Sequence, residues 1–191
     1  MISLIPNIPL THRPSFDTPS DVKQWIKSQA QVLGFADCGF LSVTHPLFAL
    51  QTVQLQQWLD KGYEGQLQFM HHNHHLRADP QKLVAGSKTI ISVRMDYLTQ
   101  TPTPRVIADN NRPNHGIIAR YARGRDYHKT MRGRLKQLAL TIEAMLPEWQ
   151  HLQINADADF VFRPFSDSAP IFERPIADAV GLGWTGKHTL L

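Results

Sequence analysis

KTIISVRMDYL, residues 88–98, is the most strand-like stretch of this 191-residue sequence. Its β-branched residues Ile90, Ile91 and Val93 favour an extended backbone. Earlier and later segments, such as 46–61 and 126–146, carry the spacing of helices, with apolar residues recurring every three or four positions. The pattern therefore predicts a strand that belongs to a sheet covered by helices.

Helical and extended patterns alternate outward from this strand. The first helix is predicted to begin at Ser20, a common capping residue, and to stop at Gly34. Helices are predicted at 20–33, 46–61, 126–146 and 170–180, and further strands at 35–43, 117–121, 151–155 and 160–162. No repeat or low-complexity linker divides the chain. The sequence thus predicts one α/β (α+β) domain over 20–191, a mixed sheet with flanking helices, after a leader at 1–19.

Composition narrows the class of protein. The formal charge is +4 and there is one cysteine, Cys38, so a disulfide framework or a thiolate cluster cannot be built from this chain alone. The N-terminus has no basic region before its apolar residues and is a poor signal peptide. No apolar run approaches the roughly 18 residues that span a membrane. We expect a cytoplasmic protein without a membrane partner. The proline-rich stretch 99–115 is expected to be a surface loop.

The predicted helix at 126–146 has two distinct faces. Its basic residues fall on one side and its large apolar residues on the other. The basic side carries Arg125, Lys129, Arg132 and Lys136, and the apolar side Tyr127, Met131, Leu135, Leu138, Ile142 and Met145. Such a basic side is either an ordinary solvated surface or a site that contacts nucleic-acid phosphates.

Two other motifs indicate ligands less specifically. His71, His72, His74 and His75 could bind a metal, but they lack the cysteine or carboxylate partners that structural sites usually have, so a polar surface turn is favoured. The segment 181–188, GLGWTGKH, nearly matches a phosphate-binding loop. That loop follows a strand and opens a helix, whereas this one follows a predicted helix.

Asp167 is the remaining chemical candidate. Phenylalanines surround it in sequence, at 160, 162, 165 and 172, and burial among them would let the carboxyl keep a proton at neutral pH and act as a general acid. The same Asp-Ser-Ala-Pro sequence is also an ordinary helix entry, with Asp167 or Ser168 as the cap. From the residues alone, the cap is the favoured interpretation.

Several motifs together resemble one family. They are Leu76-Arg77-x-Asp79-Pro80, Arg120-Tyr121-Ala122-x-Gly124-Arg125-Asp126-Tyr127-His128, Asp167-Ser168-Ala169-Pro170 and Gly181-Leu182-Gly183-Trp184-x-Gly186-Lys187. Their order and spacing resemble the N-terminal half of the epoxyqueuosine reductases, along nearly the whole chain. The resemblance implies reductive removal of an epoxide oxygen from epoxyqueuosine at the wobble position of tRNA, with cobalamin and two 4Fe-4S clusters.

The resemblance also implies roles for individual residues. Asp167 is expected to donate a proton to the leaving oxygen beside cobalamin. Arg77, Tyr121, Gly186 and His188 are expected to contact cobalamin, and no residue of the chain is expected to bind a metal ion. The expected partner is tRNA carrying epoxyqueuosine, and the chain is expected to be a monomer.

The family continues into a ferredoxin-like domain whose cysteines ligate the clusters, and this sequence stops before it. We therefore expect the 191-residue chain to be an N-terminal fragment without turnover of its own. The alternative is a non-catalytic corrinoid- or RNA-binding fragment that lacks the electron-supply domain.

Overall fold

A computed structural model describes residues 15–97, 116, 118–122, 124–152 and 160–191. The helices are α1 (Pro19–Val32), α2 (Leu47–Asp60), α3 (Phe69–His72), α4 (His74–Arg77), α5 (Tyr127–Met145) and α6 (Glu173–Ala179). The strands are β1 (Asp37–Ser42) and β2 (Thr89–Arg94), and short 3-10 turns lie at Pro80–Lys82, Arg120–Ala122 and Leu146–Leu152. The predicted leader at 1–19 lies largely outside the described residues, and the predicted loop at 99–115 entirely so.

The sheet is an antiparallel pair of strands in the described residues. β1 and β2 run in register from Asp37 opposite Arg94 to Ser42 opposite Thr89. β1 alternates between the two faces of the sheet, as the two-residue period of a strand requires. Cys38 joins one apolar cluster, whereas Leu41 joins another. The sheet is therefore buried on both sides.

Helices cover the two faces of this sheet as separate layers. α1 and α5 pack on one face, around a cluster that includes Ile26, Cys38 and Leu138. α2 and α6 pack on the other face, around a smaller cluster that includes Phe48 and Ile176. The α+β class predicted from the sequence is confirmed. Among the described residues, no helix is both long and apolar enough to cross a bilayer.

Close contact between sheet and helix layer depends on Gly39 in β1. A Cβ atom at Gly39 would lie 2.5 Å from Cγ2 of Val180, which caps α6. Real Cβ atoms do not approach other carbons so closely, so a side chain at this position would push α6 off the sheet. Gly39 therefore sets the distance at which α6 packs on the sheet.

The start of the first helix differs from the prediction. Thr18, rather than Ser20, caps α1: its hydroxyl accepts from the Asp21 amide at 3.3 Å, while its own amide donates to the Asp21 carboxylate at 2.7 Å. This reciprocal pair satisfies two amides at the helix start, which Ser20 cannot do from inside the helix.

Three predicted strands are also wrong where they are described. Residues 120–122 and 151–152 form 3-10 turns, and 160–162 is extended but pairs with no strand in the described chain. These segments are too short to carry a clear period, so residue type alone does not separate a strand from a turn or an extended loop. Phe160 packs against the cluster between α1 and α5, although its segment is not a strand.

Candidate functional site

A cavity of about 440 Å³ lies between β2, α5 and the segment that leads into α6. Its walls are mostly apolar and include Leu83, Ile91, Leu135, Leu138, Phe160 and Phe162. Tyr127, Asp167 and Glu173 also line it, and hydrogen bonds connect these three residues. Apolar walls with a few connected polar groups are typical of a small-molecule site.

Asp167 lies at the rim of this cavity with an unusual backbone. Its φ angle is +51°, in the left-handed region that aspartate tolerates better than most residues. The side chain is 54% exposed, so one side of the carboxyl is open to a ligand. The Asp167 amide donates to Oε1 of Glu173 at 3.1 Å, which ties the strained residue to the first turn of α6.

Tyr127 and His128, at the start of α5, face the carboxylate of Asp167. The Tyr127 hydroxyl donates to Oδ2 of Asp167, and this bond raises the pKa of Tyr127 to about 12, because it favours the protonated phenol. Nε2 of His128 lies 3.7 Å from the same oxygen. Its Nδ1 lies 2.9 Å from Oδ1 of Asp126, the residue that caps α5. The cap of α5 thus also orients the imidazole toward Asp167.

Glu173 is the carboxyl group that the site perturbs most. Burial raises its pKa from 4.5 to about 7, and the negative charge of Asp167 adds to this rise. Its position is set by α6, because Glu173 is the first residue of that helix. The Glu173 carboxyl therefore keeps its proton to a higher pH than an ordinary glutamate.

Two expectations about Asp167 need correction. The sequence suggested that phenylalanines bury it, but it is exposed, and the more buried carboxyl is the half-buried Glu173. The favoured interpretation of Asp167 as a helix cap is also wrong. α6 begins six residues later, at Glu173, and Phe172 precedes it without a side-chain cap. The Asp167 side chain turns toward α5, which sequence spacing within 167–173 cannot reveal.

The other residues expected at the site lie in separate groups. Tyr121 meets Tyr127 edge to face, with ring centroids 5.9 Å apart, and so adjoins the Asp167 cluster. Gly186 and His188 lie together in a turn, where the His188 ring packs on Gly186. The lining of the cavity includes neither of these two residues, nor Arg77. Ligand contact by these three residues remains a prediction, and a ligand that reaches them would have to extend beyond the cavity.

Arg77 offers a test of that expectation. Its Nη2 contacts Sδ of Met70 at 3.6 Å, while its Nη1 is buried and has no hydrogen-bond acceptor among the described residues. Burial lowers the pKa of Arg77. A buried donor without an acceptor is uncommon. This one is enclosed by protein and does not line the cavity, so contact of Arg77 with a cofactor remains a prediction of the motifs.

The two faces predicted for α5 are confirmed, except that Arg125 precedes the helix, which begins at Tyr127. Leu138 and Ile142 are buried, whereas Lys129, Arg132 and Lys136 are exposed. The histidine run forms α3 and α4 on the surface, where His71 pairs with Glu64 at 2.6 Å. Within the described residues, no three histidine, cysteine or acidic side chains are arranged to hold a metal ion.

Comparison with known proteins agrees with these features. The family model described as "Epoxyqueuosine reductase QueG, DUF1730" matches residues 77–168, a region that contains Arg77, Tyr121 and Asp167. The epoxyqueuosine reductase of Shewanella oneidensis is 43% identical over 166 residues, 87% of this chain. The chain resembles the epoxyqueuosine reductases. The Escherichia coli K12 reductase is 42% identical over 174 residues, 90% of this chain.

Structure comparison finds the same fold in solved epoxyqueuosine reductases. A crystal structure of epoxyqueuosine reductase with a modified tRNA stem loop matches 90% of this chain with a TM-score of 0.64 and 20% identity. The chain spans about two fifths of the length of these relatives: 39% of the Shewanella reductase and 41% of the crystallised chain. Glu173 lies outside the region of the family match. It belongs to the segment DSAPIFERP, residues 167–175, which resembles the family, but no role of its own was predicted for it.

Proposed function

We propose that this chain forms the substrate-facing part of an epoxyqueuosine reductase, which reduces epoxyqueuosine in tRNA to queuosine. The observation that carries the proposal is the 43% identity to the Shewanella reductase over 166 residues. The cavity supports it, since an apolar site with an exposed carboxyl at its rim suits a reaction that must protonate a leaving oxygen.

Removing an epoxide oxygen takes two electrons and two protons and releases water. Asp167 is the proton donor in this proposal. Tyr127 donates to Oδ2 of Asp167, which leaves Oδ1 to carry the transferable proton. A substrate that covers the exposed carboxyl removes its water, and desolvation favours the neutral form that can donate. Protonation of the oxygen as the C–O bond breaks avoids a free alkoxide as the leaving group.

Cobalamin is the proposed cofactor. Arg77, Tyr121, Gly186 and His188, the positions that the family resemblance implies, would hold it. When bound, cobalamin supplies low-potential electrons from cobalt to the substrate carbon. The chain's own residues orient the substrate, exclude water through the apolar walls and move the proton at Asp167.

The isolated chain is proposed to have no turnover without an added reductant. It contains one cysteine, Cys38, which is buried in β1. A 4Fe-4S cluster needs four thiolate ligands, so this chain cannot hold one by itself. Electrons must reach the site from another domain or another molecule.

A second candidate function is binding of RNA or a corrinoid without catalysis. The basic face of α5 favours the RNA part of this alternative, because Lys129, Arg132 and Lys136 are exposed on a single face. A solved relative is described as bound to a tRNA stem loop, and we propose tRNA as the partner of this chain as well. Under the alternative, binding persists in every Asp167 variant and no reduction occurs.

The experiment that tests the proposal uses a chimera. Residues 15–191 replace the matching region of the Shewanella reductase, and the chimera is expressed in bacteria whose own reductase gene is deleted. Mass spectrometry of tRNA nucleosides then measures queuosine against epoxyqueuosine. We expect the chimera to restore queuosine and Asp167→Asn to lower the rate roughly 100-fold or more. Glu143→Gln, an exposed carboxyl on α5, is the matched control and should not change the rate.

Two outcomes contradict the proposal. A folded, cofactor-loaded chimera that forms no queuosine rejects the assigned reaction. An Asp167→Asn chimera within a few-fold of the unmodified one rejects the proton-donor role alone.

A further inference from the structure

Glu173 and Asp167 form a pair of carboxyl groups at the cavity. Both line it, and the Asp167 amide donates to Oε1 of Glu173 at 3.1 Å. The two differ in exposure, because Asp167 faces solvent and Glu173 is largely covered by the protein. Two neighbouring carboxyls in different environments differ in pKa, and the more buried of them holds its proton to a higher pH.

The backbone contact gives Glu173 a structural role as well. Asp167 has a φ angle of +51°, which is unfavourable for a residue with a side chain. Its amide donates to Glu173 Oε1, which ties this unfavourable backbone to α6. Because Oε1 accepts this bond, Oε2 remains to carry a proton.

Titratable and charged groups from α5 and α6 surround this pair. His128 lies 3.7 Å from Oδ2 of Asp167 and acts on Glu173 as a nearby cation when protonated. Tyr127 donates to Asp167 from α5, and Arg174 follows Glu173 on α6 and lines the cavity. Asp167 is the neighbour whose negative charge opposes ionisation of Glu173.

We propose that Glu173 is the positioning residue of Asp167: it holds the Asp167 backbone in place and supplies the proton that restores Asp167 to its acid form. This rests on the proposed function of Asp167. The proton transfer involves only these two carboxyl groups. Once Asp167 has given its proton to the leaving oxygen, the O–H bond at Glu173 Oε2 breaks, an O–H bond forms on Asp167, and the negative charge moves to Glu173. Solvent then returns a proton to Glu173.

The first test needs no substrate or cofactor. The 191-residue chain is labelled with ¹³C at the glutamate side-chain carboxyls, and NMR follows their titration. We expect one glutamate with a midpoint near 7, assigned to Glu173 by its loss in Glu173→Gln. Asp167→Asn should lower this midpoint, although burial keeps it above 4.5. Glu143→Gln is the control and should leave it unchanged. A midpoint near 4.5, or one that Asp167→Asn does not move, overturns the proposal.

A second measurement separates holding from proton supply. Glu173→Gln keeps the acceptor for the Asp167 amide but cannot donate a carboxyl proton, whereas Glu173→Ala keeps neither. We expect amide hydrogen exchange at Asp167 to be unchanged in Glu173→Gln and at least about tenfold faster in Glu173→Ala. Equal exchange in all three proteins overturns the positioning role. If Glu173→Ala does not fold, Glu173→Gln and the titration are used instead. Slow exchange of the Asp167 amide in Glu173→Gln supports the positioning role, and fast exchange overturns it.

The third measurement concerns the reaction and uses the chimera. Glu173→Gln should lower the rate of queuosine formation about tenfold near pH 7 and remove the loss of activity above the Glu173 midpoint. An unchanged rate and pH profile in Glu173→Gln overturns the proton-supply role, even if the titration shows a coupled pair. If the unmodified chimera forms no queuosine but the titration is as expected, the proposed function fails while the carboxyl pair stands.

Discussion

At the scale of single residues, the site contains two acids in different environments. Asp167 is exposed and bound by Tyr127, while Glu173 is buried enough to hold a proton near neutral pH. Protein sites that move protons commonly separate carboxyl groups in this way, because environment sets which one is ionised. In the proposed reaction, Asp167 faces the substrate and Glu173 returns a proton to it.

Glu173 should also make folding stability depend on pH. Its pKa is raised from 4.5 to about 7 in the folded chain, so between these values the folded state binds more protons than the unfolded state. Stability that Glu173 contributes is therefore full below 4.5 and is lost as the pH rises through 7. The shift corresponds to at most ~3 kcal/mol, which solvent screening reduces to roughly 1–2 kcal/mol.

The measurement compares the unfolding free energies of the unmodified chain and Glu173→Gln in urea at several pH values. Other titrating groups cancel in this difference. We expect Glu173→Gln to gain stability relative to the unmodified chain as the pH rises from about 5 to about 8. A difference that stays constant over this range contradicts the raised pKa.

At the scale of elements, α5 joins the core, the site and the surface. Its buried side packs Leu138 and Ile142 against α1, its first residue Tyr127 binds Asp167, and its exposed side is basic. One helix can serve all three because its faces point in different directions with a period of 3.6 residues. If tRNA binds, the basic face is placed on the same helix that orients the proton donor.

Charge reversal on α5 tests this arrangement. Lys129→Glu with Lys136→Glu should weaken binding of a tRNA stem loop and flatten its dependence on salt, because each lost phosphate contact removes a counterion-release term. Lys61→Glu with Lys82→Glu changes the net charge equally but lies outside α5. Binding is followed by fluorescence anisotropy at two salt concentrations. Equal weakening by both pairs of changes means that net charge, and not this face, governs affinity.

At the scale of the whole molecule, a sheet of two described strands is stabilised by the helix layers on its two faces. A two-stranded sheet is marginal alone, and here α1 with α5 and α2 with α6 supply the apolar cover. The rings of Phe16, Trp25 and Trp149 meet edge to face beneath α1, with centroids 5.5–6.1 Å apart. Opening either layer exposes the sheet, so we expect the two layers to unfold together.

Cys38 reports on that opening. It is 1% exposed in the central layer, and burial raises its pKa to about 11, so both access and ionisation limit its reaction with a thiol reagent. We expect its labelling to follow the same urea transition as tryptophan fluorescence. Fast labelling without urea would show that the helix layers open independently of global unfolding.

Local sequence determined much of this architecture. The helix periods, the strand at 88–98 and the two faces of α5 follow from short-range spacing, which the backbone geometry imposes on each segment separately. Motifs identified the family resemblance and marked Asp167. The short apolar segment 160–162 was wrongly predicted to be a strand. The same types of apolar residue occur in strands and in extended loops that pack on a core.

Tertiary structure alone decided which groups meet. Tyr127 and Asp167 are 40 positions apart in sequence, and their hydrogen bond exists only because α5 packs beside the segment before α6. The same packing buries Glu173 and leaves Asp167 exposed, the reverse of what the neighbouring phenylalanines suggested. Burial and electrostatic coupling depend on distances between elements, whereas the sequence by itself specifies periods and residue types within each element.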